Sequence, residues 1–207
     1  MKTRDALNAI GLLLLIAGAG GFVWKNLNTT PEFNTALHEG IGIALAEETI
    51  RCLGNKGDIH VITMADGDSE ILATQFAAFR RRIEKSSVTI REIERIDSDK
   101  KDKYGPGVGL SAGKLTREVG KSARREAIVS FIGLPKMDAA ELDALGSNVP
   151  PLLAFSRMPD KLGPLLKHGC VAAVVVPRFK FPAPGPESPS TPGEWFTNQY
   201  QIITRPR

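Results

Sequence analysis

Four short runs constrain this fold most: Asp58 to Ala65 (DIHVITMA), Ala127 to Ile132 (AIVSFI), Leu152 to Ser156 (LLAFS) and Val171 to Val176 (VAAVVV). Each is nearly continuous in apolar residues, and all but Leu152 to Ser156 are rich in β-branched ones. That pattern predicts strands covered on both faces, as in a parallel sheet. Between them lie stretches with helical spacing. Leu37, Ile41, Leu45, Ile50 and Leu53 mark a helix that stops at Gly54 and Gly57, and Leu72, Phe76, Phe79 and Ile83 mark another. The second has Asp68 and Glu70 at its start and Arg80, Arg81, Arg82 and Lys85 at its end, both matched to the helix dipole. Leu115 and Val119 mark a third helix ending near Arg125, and shorter ones are expected over Asp138 to Leu145 and Asp160 to Lys167.

Val88 to Ile96 differs from the other strand candidates. It alternates as VTIREIERI, apolar on one face and charged on the other, and so belongs at a sheet margin. Five strands joined by helices through right-handed crossovers make a three-layer α/β domain. With the amphipathic second strand at an edge, the expected order is 2-1-3-4-5.

The N-terminus sets the compartment. Leu7 to Trp24 (LNAIGLLLLIAGAGGFVW) holds 18 residues without a charge, long enough to cross a bilayer as a helix. Lys2 and Arg4 precede it, and Trp24 and Lys25 suit an interfacial anchor, so the N-terminus is expected in the cytoplasm and the domain outside it. The segment also fits a signal peptide, with Ala17-Gly18-Ala19 offering small residues for cleavage. The anchor is preferred because the apolar stretch continues through Phe22, Val23 and Trp24. The expected organisation is therefore an anchor over 1–25, a connector over 26–36, an α/β lobe over 37–178 and a Pro-rich arm over 179–207 with a short apolar end. The expected location is a bacterial-type inner membrane, single-pass, with the domain on the periplasmic side.

The net charge of +4 is mild, and the 6% of aromatic residues are not interleaved with Lys and Arg. This excludes the continuous basic stripe and stacking platforms that nucleic-acid binding needs. The two cysteines, Cys52 and Cys170, each precede a predicted strand, the first and the last of the sheet. Three strand spacings of about 4.8 Å would separate them, beyond the reach of a disulfide, so two free, buried thiols are expected.

The element order, the opening strand HVITMADGD (60–68) running into a helix that ends FAAFRRRIEK (76–85), and the later SFIGLP (130–135) and LLAFSR (152–157) resemble one lobe of the type I periplasmic-binding-protein-like fold. The resemblance covers roughly Gly57 to Arg178. It implies two lobes closing over a small ligand, whereas this chain has room for one.

The site candidates follow from the fold. Ligands of open α/β sheets bind beyond the carboxyl ends of the strands, where the order reverses. Here that places Asp66, Asp68 and Ser69 opposite Gly133, Leu134 and Pro135, with Ser156 and Arg157 after the fourth strand. Asp66 and Asp68 equally suit helix capping. Gly109 to Gly113 matches G-x-S-x-G, and Ser111, Asp160 and His168 follow hydrolase order. The approach KKDKYGPG (100–107) is polar rather than a buried strand, however, so Ser111 reads as a helix N-cap. Gly109 to Lys114 also misses the phosphate-loop spacing by one residue. His38, His60 and His168 are scattered without a ligand partner at metal-binding spacing, so neither a metal nor another cofactor is expected, and no catalytic residue.

The arm carries Pro182, Pro184 and Pro186, then Trp195, Phe196 and Tyr200, aromatic area suited to docking on its own domain or on a partner. The expected function is a non-enzymatic accessory or scaffold subunit of a larger envelope or membrane assembly. The alternative is a small-molecule binding or sensor lobe, and a serine hydrolase using Ser111 comes a distant third.

Overall fold

A computed structural model describes residues 33–65, 69–96, 110–122, 126–146, 148–158, 162–180 and 189–205. The α/β unit, Thr35–Arg207, opens with α1 (Thr35–Cys52), followed by β1 (Lys56–Met64), α2 (Glu70–Ile83), β2 (Ser87–Ile96) and α3 (Ala112–Lys121). Then come β3 (Glu126–Ser130), α4 (Ala139–Leu145), β4 (Leu152–Phe155), α5 (Gly163–His168), β5 (Val171–Pro177), α6 (Pro192–Gln199) and β6 (Tyr200–Thr204). The sheet order is β2-β1-β3-β4-β5-β6, parallel except for the antiparallel pairing of β6 with β5. The mostly parallel α/β sheet of the sequence reading is present, and the expected order is extended by a sixth strand.

Side-chain alternation across the strands sorts the core into two layers. Ile59, Val61, Val129, Leu153 and Val175 pack with Ile41 and Leu45 of α1, Phe79 of α2 and Phe196 of α6. Ile62, Ile128, Leu152, Val174 and Val176 pack with Leu115 of α3, Leu142 of α4 and Leu165 of α5. β3 and β4 are buried along their whole length, as their apolar runs require. β2 is buried only at Val88 and otherwise keeps its charges wet, as an edge strand should. Phe76 and Phe79 each meet Phe131 edge-to-face, with ring centroids 5.7 and 5.3 Å apart, and fix the contact of α2 with the end of β3.

The C-terminal region carries a helix and a strand where the sequence reading places a Pro-rich arm with a short apolar end. The prolines 182, 184 and 186 lie outside the described residues, but the segment after them folds onto the domain. Thr191 caps α6 by accepting from the Glu194 amide, the Glu194 side chain returns to the Thr191 amide, and Pro192 occupies the first turn. Phe196 is 8% exposed and stacks on Tyr200, which in turn lies 5.8 Å from Phe155. These aromatics are packed against their own core, and the lobe therefore reaches Thr204 rather than ending at 178. The connector is also shorter than 26–36, since α1 begins at Thr35.

The cysteines are both free. Cys52, expected to be buried, is exposed as the last residue of α1, and Cys170 is buried beneath α5, where its thiol contacts the Leu165 carbonyl at 3.6 Å. Burial pushes the Cys170 thiol up. The anchor predicted over residues 7–24 lies outside the described residues, among which no helix is long and apolar enough to cross a membrane.

Two glycines let α1 be approached by two neighbours. A Cβ on Gly40 would stand 2.2 Å from the Pro192 carbonyl oxygen of α6, and one on Gly42 2.1 Å from the Gln75 carbonyl oxygen of α2. Both obstacles are backbone, so relief requires moving a helix. Gly40→Ala and Gly42→Ala should each lower stability by about 1–3 kcal/mol by overpacking. Gly113→Ala, where nothing lies within 4 Å of the added carbon, should leave stability unchanged or raise it by up to about 1 kcal/mol. Urea unfolding of the three variants checks this, and equal midpoints would exclude the close-packed α1.

Candidate functional site

The carboxyl ends of β1, β3, β4 and β5 form one rim of the sheet. α2 starts there, and α1 ends its descent at the opposite margin, so its first turns also lie on this rim. Ser69 is the N-cap of α2, its Oγ accepting from the Leu72 amide at 3.3 Å. Past β3, Gly133 takes a φ of +85°, which favours glycine, and its carbonyl accepts a 2.6 Å hydrogen bond from the buried Ser130 hydroxyl. This bond closes the turn that follows β3. Past β4, Ser156 is buried, donating its amide to the Val175 carbonyl and accepting at Oγ from the Met158 amide at 3.3 Å. Arg157 follows it and is exposed.

The fold thus brings Ser69, Gly133, Pro135, Ser156 and Arg157 to one edge, as the strand order implies. Asp66 and Asp68 lie outside the described residues. Sequence reasoning placed none of His38, Gln75 and Tyr200 at this edge, which they reach from α1, α2 and β6. Gln75 Nε2 lies 3.2 Å from His38 Nδ1, a pairing that suits the neutral ring. Gln75 itself is fully buried, and its Oε1 has no hydrogen-bond partner. Desolvation first, and the positive charge of Arg157 second, hold the His38 imidazole below its usual range. Burial raises the Tyr200 phenol, and Arg157 partly opposes that shift. Nothing in the spacing of residues 38, 75, 157 and 200 announces this proximity.

The other motifs resolve locally. Ser111 caps α3, with Oγ accepting from the Lys114 amide at 3.3 Å. It sits at the carboxyl rim, whereas His168 ends α5 at the amino margin of the sheet, and Asp160 is outside the described residues. His60 is a different matter. On β1 it is 3% exposed, and folding brings Glu92 of β2 and Glu118 of α3 to it, a grouping of possible metal-ligand donors that sequence separation conceals.

No protein-family model and no curated protein matches the chain. Solved structures do. XylFII superposes with a TM-score of 0.55 at 11% identity, covering 84% of this chain and 61% of that one. AraP, an arabinose binding protein from Geobacillus stearothermophilus, gives 0.53 at 16% identity, covering 81% and 61%. An ABC-transporter solute binding protein from Burkholderia graminis in complex with D-arabinose gives 0.51 at 15% identity, covering 81% and 60%. The chain has a periplasmic-binding-protein-like fold. It spans about 60% of the length of these structures.

The depressed His38 has a consequence for stability. Because the folded protein resists charging this ring, the unfolded chain binds the proton more readily at mildly acidic pH. The neutral ring's contribution is complete above the unfolded value of about 6.5 and is lost as pH falls from there through the lower folded value. Thermal unfolding temperatures should therefore drop between about pH 7 and pH 5, and His38→Gln should flatten part of that slope. Parallel slopes for the two proteins would show that His38 is not a titrating contact.

Proposed function

We propose that this chain is a small-molecule binding or sensor lobe that takes a neutral, hydroxyl-rich ligand of the sugar class at the carboxyl rim of its sheet. The observation that carries this is the periplasmic-binding-protein-like fold together with a polar, cation-bearing rim at the fold's ligand edge, formed by Ser69, Ser156 and Arg157. Hydroxyl and guanidinium donors at such an edge suit hydrogen bonding to a polyol. On this reading the protein is not an enzyme and needs no cofactor. The apolar 7–24 segment holds the lobe at the outer face of the cytoplasmic membrane, where a second copy or another envelope protein facing the rim completes the enclosure.

A second reading, the accessory or scaffold subunit, draws on Met158 and Phe179, which follow β4 and β5 with 57% and 73% of their surface exposed. These are large apolar groups at the same rim and suit contact with another protein.

The test is calorimetric titration and thermal shift of the full chain with a panel of pentoses and hexoses. A sugar that binds and raises the unfolding temperature, with affinity lowered about tenfold in Arg157→Ala by loss of a charge-assisted hydrogen bond, supports the binding lobe. No stabilisation by any sugar at saturating concentration rejects the sugar assignment. Retention of a co-purifying membrane protein that Phe179→Ser releases would then favour the scaffold.

A further inference from the structure

Away from the rim, the join between β1, β2 and α3 holds a polar cluster that the binding reading does not use. Glu118 of α3 is 1% exposed, and a carboxylate at that depth requires compensation. Its compensation comes from Lys121, whose Nζ lies 3.0 and 3.1 Å from the two carboxylate oxygens, yet whose own side chain is 49% exposed and reaches in from solvent. On the other side, His60 Nε2 lies 3.8 Å from Glu118 Oε2, too far for a hydrogen bond, and is buried without a partner. Glu92 stands directly opposite His60 in the β1–β2 register, and the ligand atoms of the three side chains all lie within 4.8 Å of one another. A cleft of about 60 Å³ opens beside them. Its other charged walls, Arg91 and Glu126, are paired with each other.

We propose that His60 Nε2 and the carboxylates of Glu92 and Glu118 form a binding site for a divalent transition-metal cation of the zinc class. One imidazole nitrogen with two carboxylate oxygens suits such an ion and does not suit magnesium or calcium, which take oxygen alone. Ligand bonds of about 2.1 Å in tetrahedral geometry put donor atoms about 3.4 Å apart, so the His60–Glu118 gap needs to close by only a few tenths of an ångström. The open cleft leaves room for water as a fourth ligand. Lys121 is the counter-charge of the metal-free protein, and its exposed stem lets the ammonium withdraw to solvent when the ion enters. The bound ion ties β1, β2 and α3 together across residues 60, 92 and 118. Since it sits on the α3 face of the sheet rather than at the rim, this proposal does not depend on the sugar reading.

The experiment is titration of the chelator-treated full chain with Zn²⁺ by isothermal calorimetry. One equivalent should bind, and zinc at about a hundredfold over its dissociation constant should raise the unfolding temperature by about 5–10 °C. Glu92→Gln, at an exposed position that the fold does not depend on, should weaken binding at least about tenfold. Lys121→Met, which removes the competing ammonium, should tighten it. Absence of binding, binding unchanged in Glu92→Gln, or binding weakened in Lys121→Met would each overturn the proposal, the second because the ion would then sit elsewhere, as on the exposed Cys52.

Discussion

Everything in this domain follows from strands that have no wet face. β3 and β4 bury every residue, and β1 and β5 bury most of theirs, so the sheet is stable only with helices on both sides. Parallel pairing supplies them, because each return to the amino end of the sheet needs a crossover, and the crossovers become the covering layers. Burial of a single Val, Leu, Ile or Phe is worth about 1.5–3 kcal/mol. Two-sided coverage therefore outweighs the weaker polar preferences of residues caught inside, such as Ser130 and His60.

The helical layers are not equivalent. α1 precedes the first strand and is no crossover, yet it contributes Ile41, Leu45 and Ala46 to the deepest packing and meets both α2 and α6. Gly40 and Gly42 make that possible by removing the side chains that would otherwise hold three backbones apart. Surface ion pairs reinforce the α1–α2 seam, with Arg81 on Glu39 and Arg82 on Glu47, although exposed pairs of this kind contribute about 0–1 kcal/mol each. Packing rather than charge holds the seam.

The sequence revealed the parts of the fold that repeat a simple period. The continuous apolar runs of β1, β3, β4 and β5 and the alternation of β2 fixed both strand identity and the edge position of β2. Ser111 was readable as an N-cap because its polar approach cannot form an elbow. The sixth strand was missed because YQIIT is short and half-buried and follows a proline-rich stretch. The signal that could have found its preceding helix was Thr191-Pro192-Gly193-Glu194, a capping box with proline in the first turn. Of the site, only residues immediately after strands were legible, since topology alone places them. His38 with Gln75, and His60 with Glu92 and Glu118, meet through register and helix packing, which no local spacing encodes.

The finished layers also decide where another molecule can approach. Both sheet faces are covered by helices. One open edge, β2, carries Arg91, Glu92, Glu94 and Arg95, and the other, β6, is five residues long and is followed by Arg205, which donates to the Gly169 carbonyl at 2.8 Å. Charged and short edges resist the addition of a foreign strand. Among the described residues, that leaves the carboxyl rim, where Met158 and Phe179 are exposed apolar groups and Arg157 is an exposed cation. A rim of mixed character binds neither a purely apolar nor a purely charged surface well. On the proposed reading, a polar small molecule held at Arg157 beneath a second protein surface that covers the two apolar side chains would put ligand capture and partner contact on one face, where each would strengthen the other.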